Sequence, residues 1–291
     1  MTVGGSSSHI AQAGHSSAAQ NRKFLIDLAR AFAGALIFAL PMLMTMEMWW
    51  IGFYIAEERL IVLALVLIPL LIGLSYFSGF RETTRFTDDV VDAFVAIAAA
   101  AVMAALILTI FGVIRFDMPA REVIGKIVLQ TFPGSIGAML AQDQMSGEKR
   151  RSMGQKDRRK NHPSYAGELF LMAAGALFLG LNVAPTEEMI LLSYRMQPAG
   201  QIALAILSLV LMHAFVYAVD FQSAPERPQA GFWSLFMRFT VAGYAVVLLI
   251  SLYLLWTFGR TDGATIEGIL SVSIVLGFPC AIGAAAARII L

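Results

Sequence analysis

Charged residues and cysteines are both scarce in this sequence. Only 14% of its 291 residues are charged, whereas 58% are hydrophobic and the mean hydropathy is +0.72. A soluble domain carries about 25% charged residues, so this composition excludes an ordinary soluble protein and predicts a chain embedded in a bilayer. The single cysteine, Cys280, excludes an intrachain disulfide, and its apolar surroundings are typical of a small packing side chain.

The sequence also lacks the short motifs of several enzyme classes. It contains no H-E-x-x-H zinc motif, no G-x-x-x-x-G-K-[ST] phosphate loop and no G-x-S-x-G nucleophile motif. Of its four histidines only His213 lies in an apolar segment, which argues against a bis-histidine haem site within one chain. We therefore expect no enzymatic activity, no cofactor and no nucleic-acid partner.

Eight segments are long and apolar enough to cross a bilayer, which takes about 20 residues each. They predict an all-α membrane protein. The segments are Phe32–Tyr54, Leu60–Phe80, Val90–Ile114, Val123–Ala141, Tyr165–Ala184, Gly200–Val219, Phe232–Phe258 and Ala264–Ile290. The fourth is unusual because it contains Lys126 and Gln130, which a lipid-facing helix would avoid.

The polar stretches divide the chain into four parts. Residues 1–21 are rich in Gly, Ser and Ala and predict a disordered cytoplasmic tail without the features of a cleavable signal peptide. Four spans follow in residues 22–142, and four more in residues 165–291. Between them, residues 143–164 form a basic linker.

Basic residues predict the orientation. With the N-terminus in the cytoplasm, 15 Lys and Arg residues lie on the cytoplasmic side and 6 on the other, so both termini should be cytoplasmic. The run EKRRSMGQKDRRK at residues 148–160 dominates this count. It is interpreted first as a topology-fixing linker, and second as a contact for anionic lipid headgroups.

The two groups of four spans resemble each other. AGALIFALPMLMTMEM at 33–48 aligns without gaps to AGALFLGLNVAPTEEM at 174–189, with eight of 16 positions identical. TFPGSIGAMLA at 131–141 matches GFPCAIGAAAA at 277–287 at six of 11 positions. We interpret this as duplication of a four-helix unit, and because four is even, the two repeats should be parallel.

The T-x-E-M motif is the leading candidate site. It contributes Thr45 and Glu47 in the first half, and Thr186 and Glu188 in the second. A carboxylate within an apolar segment usually faces protein or water, and a nearby proline can free a helix carbonyl oxygen to bind a cation. The alternative is that the glutamates only pin helix ends.

Further polar residues at membrane depth form a secondary set. These are Asn182, Glu187, His213, Asp92 and Arg238. Asp92 and Arg238 fall at nearly matched places in the two halves, although snorkelling to the membrane surface explains Arg238 equally well. The other shared motif, F-P-x-x-I-G-A, predicts a close-packed seam because its Gly and a following Ala are four residues apart.

The stretch LPMLMTMEMWWIGFY at 40–54, together with APTEEM at 184–189, resembles a family of bacterial integral membrane proteins of unknown function. The resemblance implies a location in the bacterial plasma membrane and supplies no activity. From the residues, the leading hypothesis is a transporter or channel for a small cation: a proton, Na⁺ or a divalent ion. The alternative is a non-transporting scaffold or assembly factor. A homo-oligomer is left open.

Overall fold

The computed structural model describes residues 6–78, 86–145, 164–223 and 232–290. These residues form helices joined by short turns, and the described part of the chain has no strand. The helices, numbered in chain order, are α1 Ser6–Leu43, α2 Met46–Tyr54, α3 Glu57–Ser78, α4 Phe86–Ile110, α5 Ala120–Met145, α6 Tyr165–Val183, α7 Glu188–Arg195, α8 Pro198–Ser223, α9 Phe232–Leu235, α10 Ala242–Thr257 and α11 Ile266–Ile290. A π-helical turn, Phe236–Val241, joins α9 to α10.

Eight of the helical segments are long and apolar enough to cross a membrane, which confirms the predicted number of spans. The spans lie in α1, α3, α4, α5, α6, α8, the π-turn with α10, and α11. The helix α2, the connection 111–119, the helix α7 and the connection 258–265 follow the first, third, fifth and seventh spans, respectively. Because all four segments follow an odd-numbered span, they lie at the same face of the bundle. We call this the short-helix face.

The first predicted span differs from the structure at both ends. The prediction of one helix through Phe32–Tyr54 is wrong, because α1 ends at Leu43 and α2 begins at Met46. At its other end α1 begins at Ser6, within the stretch 1–21 for which the sequence predicts a disordered tail. Alanine and glutamine are good helix formers, and no proline precedes Pro41, so nothing local stops the helix there. The basic run 148–160 lies outside the described residues.

Helix α5 lies at the centre of the first half. In its most apolar stretch 72% of the residues are buried, against 11% for α8. This explains how the fourth span tolerates Lys126 and Gln130, since both side chains face protein instead of lipid.

Paired glycines bring the first and last spans of each half into close contact. A methyl group added at Gly34 would overlap the carbonyl oxygen of Gly137 on α5 and the side chain of Ala141. In the second half, a methyl group at Gly175 would overlap Gly283 and Ala287 on α11 in the same way. The packing seam predicted from F-P-x-x-I-G-A is thus confirmed in both helices that carry it.

Between the halves, contacts are mainly apolar. The rings of Phe38 on α1 and Phe178 on α6 meet edge to face, with centroids 5.2 Å apart. The tip of the Phe170 ring fills the space beside Gly73. At the short-helix face, an ion pair also joins the halves: Arg59 on α3 lies 2.6 Å from Asp262 in the connection 258–265.

Replacing Gly34 or Gly175 by leucine should destabilise the protein, because the new side chain disrupts the close contact between the first and last spans of that half. Four additional carbon atoms would have to displace backbone, and overpacking of this kind costs about 1–3 kcal/mol, occasionally more. Thermal unfolding of the purified protein in detergent measures the loss. Gly200→Leu is the control, because the nearest atom to an added Cβ there is a methionine methyl at 3.6 Å. Equal melting temperatures for all three variants would contradict the seam.

Candidate functional site

The T-x-E-M motif of the first half lies where α1 is interrupted. The backbone leaves the helix at Met44, and Thr45 is extended, with φ −94° and ψ 115°. Thr45 makes no side-chain cap on α2 and instead donates its hydroxyl hydrogen to the carbonyl oxygen of Pro41, at 2.5 Å. The interruption is therefore stabilised by the threonine that the sequence singles out.

An interrupted helix leaves its last four carbonyl oxygens without helical partners. In α1 all four accept hydrogen bonds from this protein. Leu40 accepts from the Met44 amide, Pro41 from Thr45, and Met42 from both the Thr45 amide and the Gln130 side chain.

The fourth oxygen, on Leu43, accepts the indole N–H of Trp49 at 2.9 Å. Gln130 donates to Met42 at 3.0 Å from the neighbouring α5. Each of the last four carbonyl oxygens of α1 thus has at least one hydrogen-bond donor within the protein.

The second half closes its interruption with different residues. Thr186 donates both its amide and its hydroxyl hydrogen to the carbonyl oxygen of Val183, the hydroxyl at 2.8 Å. Arg260 donates to the carbonyl oxygen of Pro185, and its other terminal nitrogen lies 3.9 Å from the Glu187 carboxylate. The secondary candidate Glu187 is therefore an ion-pair partner at the short-helix face.

The two glutamates of the motif lie on different short helices, α2 and α7. Glu47 is half-buried in the first turn of α2, and Glu188 is exposed in the first turn of α7. α2 packs mainly on α5, and α7 on α11, each within its own half. No hydrogen bond or ion pair joins the two carboxylates, and the described residues contain no group of three His, Cys, Asp or Glu suited to a metal ion.

The remaining candidates have local partners. Asn182 donates to the carbonyl oxygen of Phe178 in its own helix, at 2.8 Å. His213 shares a hydrogen bond of 2.8 Å with Thr240 in the π-helical turn. Arg238 lies 5.1 Å over the ring of Tyr165, and no ion pair connects it to Asp92 although both residues are described. Asp92 and Arg238 thus do not form an ion pair with each other.

Sequence reasoning missed three polar contacts. Ser75 donates to Asp89 at 2.7 Å between buried side chains of α3 and α4. Arg59 and Asp262 pair across 203 positions of chain, a distance at which no local signal exists. The third, between Glu122 and Lys126 at 2.5 Å, has the i, i+4 spacing of a helical ion pair and could have been found.

Comparison with known proteins agrees with this architecture. A family model with the description "Putative integral membrane protein (DUF2391)" matches residues 27–291. The chain belongs to this family. The match includes all eight spans apart from the first two residues of the first, so membrane integration is a property of the family fold. No curated protein and no solved structure matches the chain.

Trp49→Phe should destabilise the protein, since it removes the hydrogen bond that the indole N–H donates to the buried carbonyl oxygen of Leu43. Leaving such a group unsatisfied costs about 1–3 kcal/mol. Trp50→Phe is the matched control, because this neighbouring ring is 61% exposed. Thermal unfolding in detergent should show a lower midpoint for the first variant only. Two equal midpoints would mean that the indole N–H does not stabilise the interruption.

Acid should weaken the contact between Arg59 and Asp262. The Arg59 guanidinium holds the pKa of the Asp262 carboxyl below its ordinary value, chiefly by hydrogen bonding. A carboxyl with a lowered folded-state pKa stabilises the fold above its unfolded value, about 3.9, and this stabilisation is lost as the pH falls through the folded value.

The side chain of Asp262 is 59% exposed, so the contribution is about 0.2–1 kcal/mol. Asp262→Asn should lower the melting temperature at pH 6 and leave it unchanged relative to the wild type at pH 2. A constant difference between the two proteins at both pH values would contradict this assignment.

Proposed function

We propose that this protein is a non-transporting scaffold of the bacterial inner membrane. The observation that supports this best is the closure of both helix interruptions by the protein itself. Gln130 and Trp49 occupy the carbonyl oxygens at the end of α1, and Arg260 occupies that of Pro185. An ion-binding element of a broken helix needs oxygen atoms that face the ion, whereas these face donors of neighbouring helices and of the connection 258–265.

The arrangement in the membrane is part of the proposal. The excess of Lys and Arg on one side supports cytoplasmic termini. The short-helix face then lies on the outer, periplasmic side. A partner that binds the scaffold from the cytoplasm would meet the basic linker, and one that binds from outside would meet α2 and α7.

Duplication of a four-helix unit is supported by matching boundaries. α2 and α7 begin at Met46 and Glu188, and α3 and α8 begin at Glu57 and Pro198, so these two pairs start 142 and 141 positions apart. The starts of α4 and α9, and of α5 and α11, both differ by 146 positions. The two glycine seams repeat the same contact. Two parallel repeats would give the scaffold two similar but not identical faces. Superposition of residues 24–141 on 165–287 tests the arrangement.

Cation transport is the second candidate, and one observation favours it. The carboxylate of Glu47 is half-buried and makes no hydrogen bond or ion pair with the described residues. In a membrane protein such a group is a candidate for binding a proton or a metal ion. Glu47, with Thr45 beside it, would bind the ion in this case, and the exposed Glu188 with Thr186 would contribute less.

Flux measurements separate the two functions. Wild-type protein, Glu47→Gln and Glu188→Gln are reconstituted in liposomes and assayed for proton, Na⁺ and Ca²⁺ movement. Glu267→Gln, an exposed glutamate in the first turn of α11, is the control. A scaffold should give no flux above that of empty liposomes in any of the four proteins. Wild-type flux that Glu47→Gln abolishes and Glu267→Gln preserves would establish transport and overturn the scaffold.

A further inference from the structure

A cleft of about 580 Å³ opens at the short-helix face between α2, α5 and the connection 111–119. Trp49, Trp50 and Phe53 of α2 form one wall, and Phe111 lies at the end of α4. α2 has only nine residues and cannot span a bilayer. Its exposed aromatic rings are instead typical of the headgroup level of a membrane. The mouth of the cleft is therefore at the depth of lipid headgroups.

Paired glycines let the wall of this cleft approach α5 closely. A methyl group at Gly52 would overlap the backbone and the stem of Lys126, and one at Gly125 would overlap the carbonyl oxygen of Gly52. The Lys126 side chain is 8% exposed. It donates to Glu122 at 2.5 Å and to the carbonyl oxygen of Val113 at 3.2 Å, which ties the connection 111–119 to α5.

Both charge signs line the cleft in equal number. Glu122 balances Lys126, and Arg115 lies 3.3 Å from Asp117, with both of these side chains exposed at the rim. Lys126 is buried and donates to the protein, whereas Arg115 is exposed at the rim, so Arg115 is the cation that a ligand can reach. Glu122 and Asp117 present carboxylate oxygens. A ligand matched to this lining carries one anionic and one cationic group, and an aromatic wall adds attraction for the cation.

The fold itself does not require these charges. At the matching positions of the second F-P-x-x-I-G-A helix, Glu122 corresponds to Gly268 and Lys126 to Val272. Both helices pack through the same seam despite this difference. A buried ion pair is costly to place and is weak evidence for stability. Its presence in one half only points to a role in binding.

We propose that the cleft binds the headgroup of a zwitterionic phospholipid whose phosphate is linked to a primary ammonium. The phosphate contacts Arg115, and the ammonium contacts the carboxylates of Glu122 and Asp117 beside the aromatic wall. The acyl chains leave the mouth of the cleft along the exposed faces of Trp50 and Phe53. An anionic lipid with no ammonium fits less well, because the cations of the cleft are already balanced by carboxylates.

Native mass spectrometry of the full chain in detergent tests this proposal. The protein is titrated with phosphatidylethanolamine, phosphatidylglycerol and diacylglycerol that have identical acyl chains. The wild type should bind one phosphatidylethanolamine in preference to the other two. Arg115→Thr, which copies Thr261 at the matching position of the second half, should weaken that binding about tenfold, the effect of losing roughly 1.4 kcal/mol of charge-assisted hydrogen bonding.

Arg121→Thr is the control, since Arg121 is next to Glu122 but does not line the cleft and pairs with Glu57 instead. A double variant, Glu122→Gln with Lys126→Met, removes both buried charges together and should abolish the preference. Arg115→Thr keeps the test decisive if that double variant does not fold. Equal binding of the three lipids, a preference for phosphatidylglycerol, or equal affinities of Arg115→Thr and Arg121→Thr would each overturn the proposal.

Discussion

The close approach of the first and last spans within each half is the constraint on which the rest of the structure depends. Lipid tails are as apolar as leucine, so helices in a membrane associate through close packing instead of through hydrophobic burial. Gly34 against Gly137, and Gly175 against Gly283, allow this contact between backbones. It places α5 at the centre of the first half, where its polar residues find protein partners. A separate glycine contact, Gly52 with Gly125, places the wall of the cleft against α5.

A second constraint follows from the interruptions after α1 and α6. Backbone polar groups within a membrane must be satisfied by the protein, since no water is available to them. The first half uses side chains of α5 and α2 for this purpose, and the second half uses Arg260. The hydrogen-bond donors that satisfy the carbonyl oxygens therefore differ between matching positions of the two halves. Gln130 corresponds to the buried Leu276, so the shared T-x-E-M motif does not create two copies of one site.

The same asymmetry distinguishes the cleft at the short-helix face from the glycine contacts. The glycine contacts occur in both halves, which is what a requirement of the fold produces. The ion pair of Glu122 and Lys126 occurs in the first half alone, beside an aromatic wall that becomes Ile190, Leu191 and Tyr194 in the second. The glycine contacts common to both halves thus describe how the helices pack, and the ion pair found only in the first half supports the proposed binding role of the cleft.

Composition and local pattern were enough to predict the eight spans and the seam of F-P-x-x-I-G-A, and the resemblance carried by residues 40–54 and 184–189 predicted the membrane protein family. They did not predict the interruption of the first span. Met44 and Thr45 lie in a continuous apolar stretch, so the break is visible only in the backbone conformation of these two residues. The candidate site was predicted less well. Thr45 and Thr186 stabilise the interruptions, whereas Glu47 and Glu188 lie on short helices that pack mainly within different halves.

The sequence by itself determined which segments enter the membrane, because transfer of an apolar helix into lipid depends on its own 20 or so residues. Only the tertiary structure decided which polar groups are engaged. Gln130 reaches Met42 across 88 positions, Arg260 reaches Pro185 across 75, and Arg59 reaches Asp262 across 203. Whether these side chains reach their partners depends on the distance between the packed segments, and that distance depends on the residues of both segments at once.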